Sequence, residues 1–438
     1  MLNTRDTIIA EKRRCLYLAA AVAIVEEQQK RLEEAEEQEK VTPPRRKTQR
    51  KVWVREWVIR RHEFGQYDSL LTELHREDQR GCKNYLRITP DLFQEMVEKL
   101  TPRLQKQSTF MREPLQVGLK LAATLRFLFT GNSYPSLQYS FRVEASTICK
   151  FIPEVCKAII AVYKDEVLRC PKTEEEWKEV AARFSSKWNY HNCLGAVDGK
   201  HIAMKKPPNA GSYYYNYKGF HSIVLMAVAD ATYKFLYVDI GAEGGASDGG
   251  TWSNFSLHDA VEENRAGVPQ QESLPNDDQP VPYHFVGDDA FALRTWMMKP
   301  FSHRSQVLRE RIYSYRLSRA RRVVENAFGI LCQRFRCFLM TMQQHPDTIN
   351  LITMCACVLH NLILIRYPHA ISEVDREDPD TRDLIPGDWR TDRHLQGLLP
   401  LTGHHTHKDA KDQRDYLSHY YMSPAGAVPW QERMVVSP

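Results

Sequence analysis

From Ile88 to Tyr163 the apolar positions recur every three or four residues, the period of helices with one buried face. TPDLFQEMVEKL follows a capping Thr89, and VGLKLAATLRFLFTG stops at Gly131, a residue that ends helices readily. SYPSLQYSF gives a short helix. Ser146 is expected to cap TICKFIPEVCKAIIAVY, with an interruption at Pro153. A helix, a short helix, a tight turn and a further helix is the arrangement of helix-turn-helix units, and equally of an ordinary helical subdomain.

After Trp188 the pattern changes. CLGAVDGKHIAMK, HSIVLMAVAD and KFLYVDIGA are strand-like runs with short gaps, which favour antiparallel neighbours because parallel crossovers need a dozen residues or more. A helix-like stretch begins near Thr251, and a polar loop follows. YHFVGDDAF then reads as a fourth strand ending in acids. RLSRARRVVENAFGILCQRF is a long helix in which Leu317, Ala320, Val324, Ala327, Phe328 and Leu331 keep helical spacing. The chain therefore divides into a charged helix (1–42), a basic linker (43–80), a helical, helix-turn-helix-like domain (81–187), a mixed α/β domain (188–367) and a polar tail (368–438). The tail is expected to be poorly ordered apart from a short helix near DAKDQRDYLSHYY.

Composition sets bounds on this picture. A chain of 438 residues has room for two or three domains, and 42% hydrophobic with 26% charged residues fits a soluble core with polar extensions. The net charge of +5 permits a nucleic-acid partner without requiring one. Ten cysteines with no C-x-x-C pair read as reduced thiols of an intracellular protein. LYLAAAVAIV, Leu16 to Val25, is too short for a bilayer, which takes ~20 residues, and runs into EEQQKRLEE without a cleavage pattern. It reads as a surface or coiled helix, and no other stretch reads as a membrane span. PPRRKTQRK is either a solvated linker or a nuclear-import or phosphate-binding patch.

The candidate chemistry lies in acids at strand ends. Asp198 interrupts the apolar run LGAV, Asp288 and Asp289 end the fourth strand, and Glu325 sits in the last long helix. If the first and fourth strands lie side by side at the centre of a sheet and the helix crosses them, three carboxylates converge. Unpaired, they would repel and largely protonate. Mg²⁺ or Mn²⁺ resolves that with carboxylate and water oxygens, and two such ions ~3.5–4 Å apart clamp the attacking and leaving oxygens of a phosphodiester. Each acid also has a structural reading: Arg321 and Arg322 lie one turn before Glu325, and Asp248 stands where an acid caps a helix. Eight arginines and two tyrosines against two acids, Glu310 and Glu325, between Leu308 and Phe338 suit a phosphate backbone.

Three other motifs compete. GASDG, Gly245 to Gly249, fits the hydrolase nucleophile pattern, but the preceding strands lack helical crossovers and no oxyanion-type HGG run is present. GAEGGASDGG has Glu243 where a dinucleotide loop needs its second glycine. HHTH, His404 to His407, is read as solvated histidines of the tail.

The blocks AVDGKHI, YYNYKGFHSIVLMAVADATYKFLYVDIGAEGGASDGG, GDDAFAL, YSYRLSRARRVVENAFGILCQRFR and CVLHN, in this order, resemble the PIF/Harbinger transposases and their domesticated relatives, the Harbinger-derived nucleases and ALP1-like proteins. The resemblance covers about Leu194 to Arg366, and more weakly the helices from Ile88. It implies an RNase H-like fold with an Asp-Asp-Glu site for divalent metal, here Mg²⁺ or Mn²⁺. It further implies that Asp198 bridges the metals, that Asp288 (rather than Asp289) and Glu325 hold one each, and that Asp248 assists. Lys200 departs from the small polar residue common after DG. Lys200, Arg319, Arg321 and Arg322 are expected to contact DNA. The expectation is a nuclear (also cytoplasmic) metal-dependent DNA endonuclease or transposase, as a homo-oligomer or with a Myb/SANT-like DNA-binding partner. Its rival is a domesticated factor that binds DNA or chromatin without cutting.

Overall fold

The computed structural model describes residues 54–108, 113–244, 256–302, 304–368, 374–378, 380–387, 390 and 407–436. The charged helix expected over 1–42 and the patch at 43–51 lie outside the described residues, as do Asp248, the GASDG and HHTH motifs apart from His407, and Leu16 to Val25. Residues from Glu56 to Pro438 form one compact unit.

Short helices α1 (Glu56–Ile59), α2 (Arg61–Phe64), α3 (Leu70–Glu77) and α4 (Gln79–Leu86) stand where the sequence suggested a linker. They lead into α5 (Pro90–Leu104), α6 (Val117–Thr130), α7 (Tyr134–Phe141), α8 (Ala145–Val167) and α9 (Glu174–Trp188). Thr89 caps α5 by accepting from the Leu92 amide, and Gly131 ends α6 in the left-handed conformation at φ 70°. Two local expectations are corrected. α8 starts at Ala145, so Ser146 lies inside its first turn, and Pro153 does not interrupt it. The missing N–H bond costs less there than the burial of Ile148, Phe151, Ile152, Val155 and Ile159 returns. α8 packs along both α6 and a later core helix.

The sheet has five strands in the order β3–β2–β1–β6–β7, made from β1 (Cys193–Ala203), β2 (Ser222–Ala229), β3 (Phe235–Glu243), β6 (His284–Val286) and β7 (Met297–Met298). A small ribbon of β4 (Glu272–Ser273) and β5 (Pro280–Val281) lies in the polar loop. β1 pairs antiparallel with β2 and parallel with β6, so the first and fourth strands of the core are neighbours, as the sequence suggested. The two-residue β7 is too short to leave a periodic signal. β1 bulges at Gly195, where a Cβ would come within 2.6 Å of Val228 Cγ1.

Helices cover both faces of the sheet. On one side Trp177 of α9 and Leu257 and Val261 of α10 (Ser256–Glu262) pack on Leu194, Val197 and Phe285. On the other lie α11 (Leu308–Arg334) and α12 (Pro346–Arg366). The six apolar positions read from the α11 sequence are all at most 2% exposed. α12, with 21 residues, is long and apolar enough to cross a membrane, against the expectation that no such stretch exists beyond the N-terminal run. However, 72% of its most apolar window is buried inside the protein, the setting of a core helix. In the tail, the short helix expected near DAKDQRDYLSHYY is present. α13 (Lys408–Tyr420) packs on α11 with Ala410, Leu417 and Tyr421 buried.

Candidate active site

The β1–β6 register fixes the first two acids. Ala196 pairs with Val286 in parallel, so Asp198 and Asp288, each two residues further on, come level with one another. Opposite Asp198 on β2 stands Ala227, whose small side chain leaves the carboxylate room. α11 crosses this end of the sheet and brings Glu325 over the pair. Asp198, 7% exposed, has its pKa pushed up to about 7, first by burial and then by the facing charges of Asp288 and Glu325, with Arg321 opposing. Asp288 is likewise raised, chiefly by burial, while its Oδ1 accepts from the Ala290 amide at 2.9 Å. The structure thus brings Asp198, Asp288 and Glu325 into one electrostatic cluster. Asp289 lies on its margin.

Cationic side chains compensate this charge. Arg321 pairs with Glu325 one turn on, and Arg390 donates to Glu325 Oε2 at 3.1 Å. Lys200, two residues along β1 from Asp198, is 7% exposed, and burial lowers its pKa to about 8. Lys200 therefore flanks the acids from within the protein.

The arginine run of α11 divides differently from expectation. Arg319, assigned above to DNA, is 2% exposed, and its Nε and Nη2 donate to Glu377 at 2.6 and 2.7 Å. Its burial corrects that assignment: a guanidinium locked in a two-pronged internal pair has no face for a phosphate. Arg322 also reaches Glu377, at 3.3 Å, and stays half-buried. Arg316, fully buried, donates to Gln431 at 2.8 Å and lies against the Tyr421 ring.

Sequence reasoning missed Asp375 and Arg390. Asp375, 2% exposed, takes the Arg390 guanidinium on both oxygens at 2.5–2.9 Å and the Gly387 amide at 2.8 Å, and its own backbone is clamped by Asn326 of α11. Nothing in the local pattern of EVDRED or GDWR announces this. The only signal was their charge within a tail taken as disordered.

As donors, three carboxylates in one charge cluster fit a hard divalent cation in kind. As arranged, no group of three His, Cys, Asp or Glu among the described residues is placed to hold a metal, and Glu325 is paired with Arg321 and Arg390.

Residues 197–361 match the family model described as DDE superfamily endonuclease. The "Putative nuclease HARBI1" of Homo sapiens is 26% identical over 272 residues, 61% of this chain and 73% of that protein, and its Bos taurus counterpart is 26% identical over 56% of this chain and 66% of its own length. "Protein ALP1-like" of Arabidopsis thaliana is 26% identical over 57% of this chain and 61% of its length. No solved structure matches. The mixed sheet, its strand order and this match define a DDE endonuclease domain of the RNase H-like type. Over this region the chain is similar to the Harbinger-derived nucleases.

Proposed function

We propose that this protein is a divalent-metal-dependent DNA endonuclease of the Harbinger type, acting by hydrolysis or strand transfer. The observation that carries the reading is the strand register that sets Asp198 beside Asp288 under Glu325. Asp198, Asp288 and Glu325 would hold the cation, with Asp248 as a further ligand. Bound Mg²⁺ or Mn²⁺ supplies Lewis-acid charge at the scissile phosphodiester. A water or a freed 3′-OH attacks phosphorus and the opposite P–O bond breaks. Arg321, held by Glu325, stands ready to offset phosphate charge. A DNA substrate implies a nuclear compartment, with a Myb/SANT-like partner or a second copy of the chain supplying further DNA contacts.

Nicking of supercoiled plasmid with Mn²⁺ tests this. Wild type should nick, whereas Asp198→Ala and Glu325→Ala should each lose at least about a hundredfold, the scale of removing a charge-stabilising group. Equal rates in all three proteins would end the proposal.

A further inference from the structure

Between Gly199 and Ala229 the chain carries four lysines and no acid, and the β1–β2 connection within it reads KKPPNAGSYYYNYKGFH. In a soluble protein, tyrosines of such a cluster are expected to turn inward. Here Tyr213, Tyr215 and Tyr217 are 60%, 48% and 47% exposed, with Lys205 and Lys206 exposed beside them and the Lys218 ammonium 5.2 Å from the Tyr217 ring.

This display is held firmly. Asn216, 2% exposed, accepts from the Lys218 and Phe220 amides at 3.0 and 3.2 Å and donates to Ser222 Oγ at 2.9 Å. Ser222 Oγ also contacts His201 Nδ1 at 2.9 Å, and the Ser222 amide donates to the Tyr214 carbonyl at 2.9 Å. The turn is therefore fastened to both strands of the hairpin. Asp198 lies five residues before the end of β1, roughly 17 Å at ~3.3 Å per residue. Lysines beside exposed aromatic rings form the kind of surface on which single-stranded nucleic acid lies: ammonium groups track the backbone while rings take the π-faces of bases.

We propose that the β1–β2 hairpin is a stacking platform for unpaired bases of the DNA strand flanking the bond to be cut. The proposal takes its location from the DNA-cleavage reading, but strand binding is measured without cleavage. Paired bases inside a duplex offer no free faces, so the platform favours single-stranded over fully paired DNA.

Full-length protein is titrated in EDTA against a fluorescein-labelled single-stranded DNA 20-mer and its duplex, by anisotropy. Tyr213→Ala/Tyr215→Ala should weaken single-strand binding about tenfold or more, whereas Tyr213→Phe/Tyr215→Phe should stay within about twofold. Independently of any variant, 2-aminopurine in the strand should lose fluorescence on binding wild type. Equal affinity of the alanine variant and wild type, equal loss in the phenylalanine variant, absence of single-strand binding or unchanged 2-aminopurine emission would each overturn the platform. Should plasmid nicking fail while tyrosine-dependent binding holds, the cleavage reading falls and the platform stands.

Discussion

Arg390 joins two acids of different standing: it donates to Glu325 Oε2 at 3.1 Å and to the buried Asp375 Oδ2 at 2.5 Å. A residue far along the tail thereby rests on an acid of the candidate metal site. Arg390 and a cation compete for the same carboxylate. Because the pair with Glu325 is partly exposed, it is worth up to ~1 kcal/mol, and Arg390→Gln should tighten Mn²⁺ binding about two- to fivefold. The same change strips Asp375 of its guanidinium and should cost about 1–3 kcal/mol of stability. Metal titration by thermal shift, paired with urea unfolding, reads both effects. Unchanged Mn²⁺ affinity would remove Arg390 from the competition.

Arg319 and Glu377 form the better-shielded pair, at 2% and 12% side-chain exposure. Arg319→Met leaves the Glu377 carboxylate largely buried, with only Arg322 at 3.3 Å, and should destabilise by about 3–5 kcal/mol. Arg319→Met/Glu377→Leu should recover most of that loss in urea unfolding, because two apolar groups replace two charges. A DNA-binding defect in the double variant at full stability would instead show that Arg319 acts at the surface.

The core of the fold was legible because β1, β2 and α11 are long enough to show their period: LGAV before Asp198 and the spacing of Leu317, Ala320 and Val324 could be read directly. Asp198, Asp288 and Glu325 stood out as acids set against apolar surroundings. What stayed hidden depends on distant contacts. β7 has two residues, and Asp375 and Arg390 gain meaning only when the tail folds back over α11. Composition misled at Arg319, where a basic face and a buried seam use the same residue type. Pro153 misled as well, since tertiary burial overrode its local effect.

The raised pKa of Asp198, about 7, gives a pH dependence with a definite sign. Between its ordinary value of 3.8 and about 7, the folded protein holds a proton that the unfolded chain has lost, so this group's contribution to stability falls as pH rises through that window. Cation binding needs the ionised form. Apparent Mn²⁺ affinity should therefore drop about tenfold per unit below pH 7 and level off above it. Thermal shifts at pH 6 and pH 8 check this, with Asp198→Asn expected to abolish the shift. Equal Mn²⁺ affinity at both pH values in wild type would contradict the buried-carboxylate account.

Asn361, in the CVLHN block, illustrates a residue of the family pattern that works far from the chemistry. Fully buried, it accepts from the Phe235 amide at 2.9 Å and donates to the Phe235 and Val167 carbonyls at 2.7 and 2.9 Å. One side chain thus ties the start of β3 to the end of α8, where helices meet the sheet. Asn361→Ala leaves the three backbone groups without this partner, and should cost about 2–4 kcal/mol in urea unfolding. Asn361→Asp should do no better, since it loses the donor and buries a charge. At temperatures where the variant stays folded, Mn²⁺ affinity should match wild type, which separates a structural clamp from a part of the site. A loss below ~1 kcal/mol, or a metal-binding defect in the folded variant, would contradict this role.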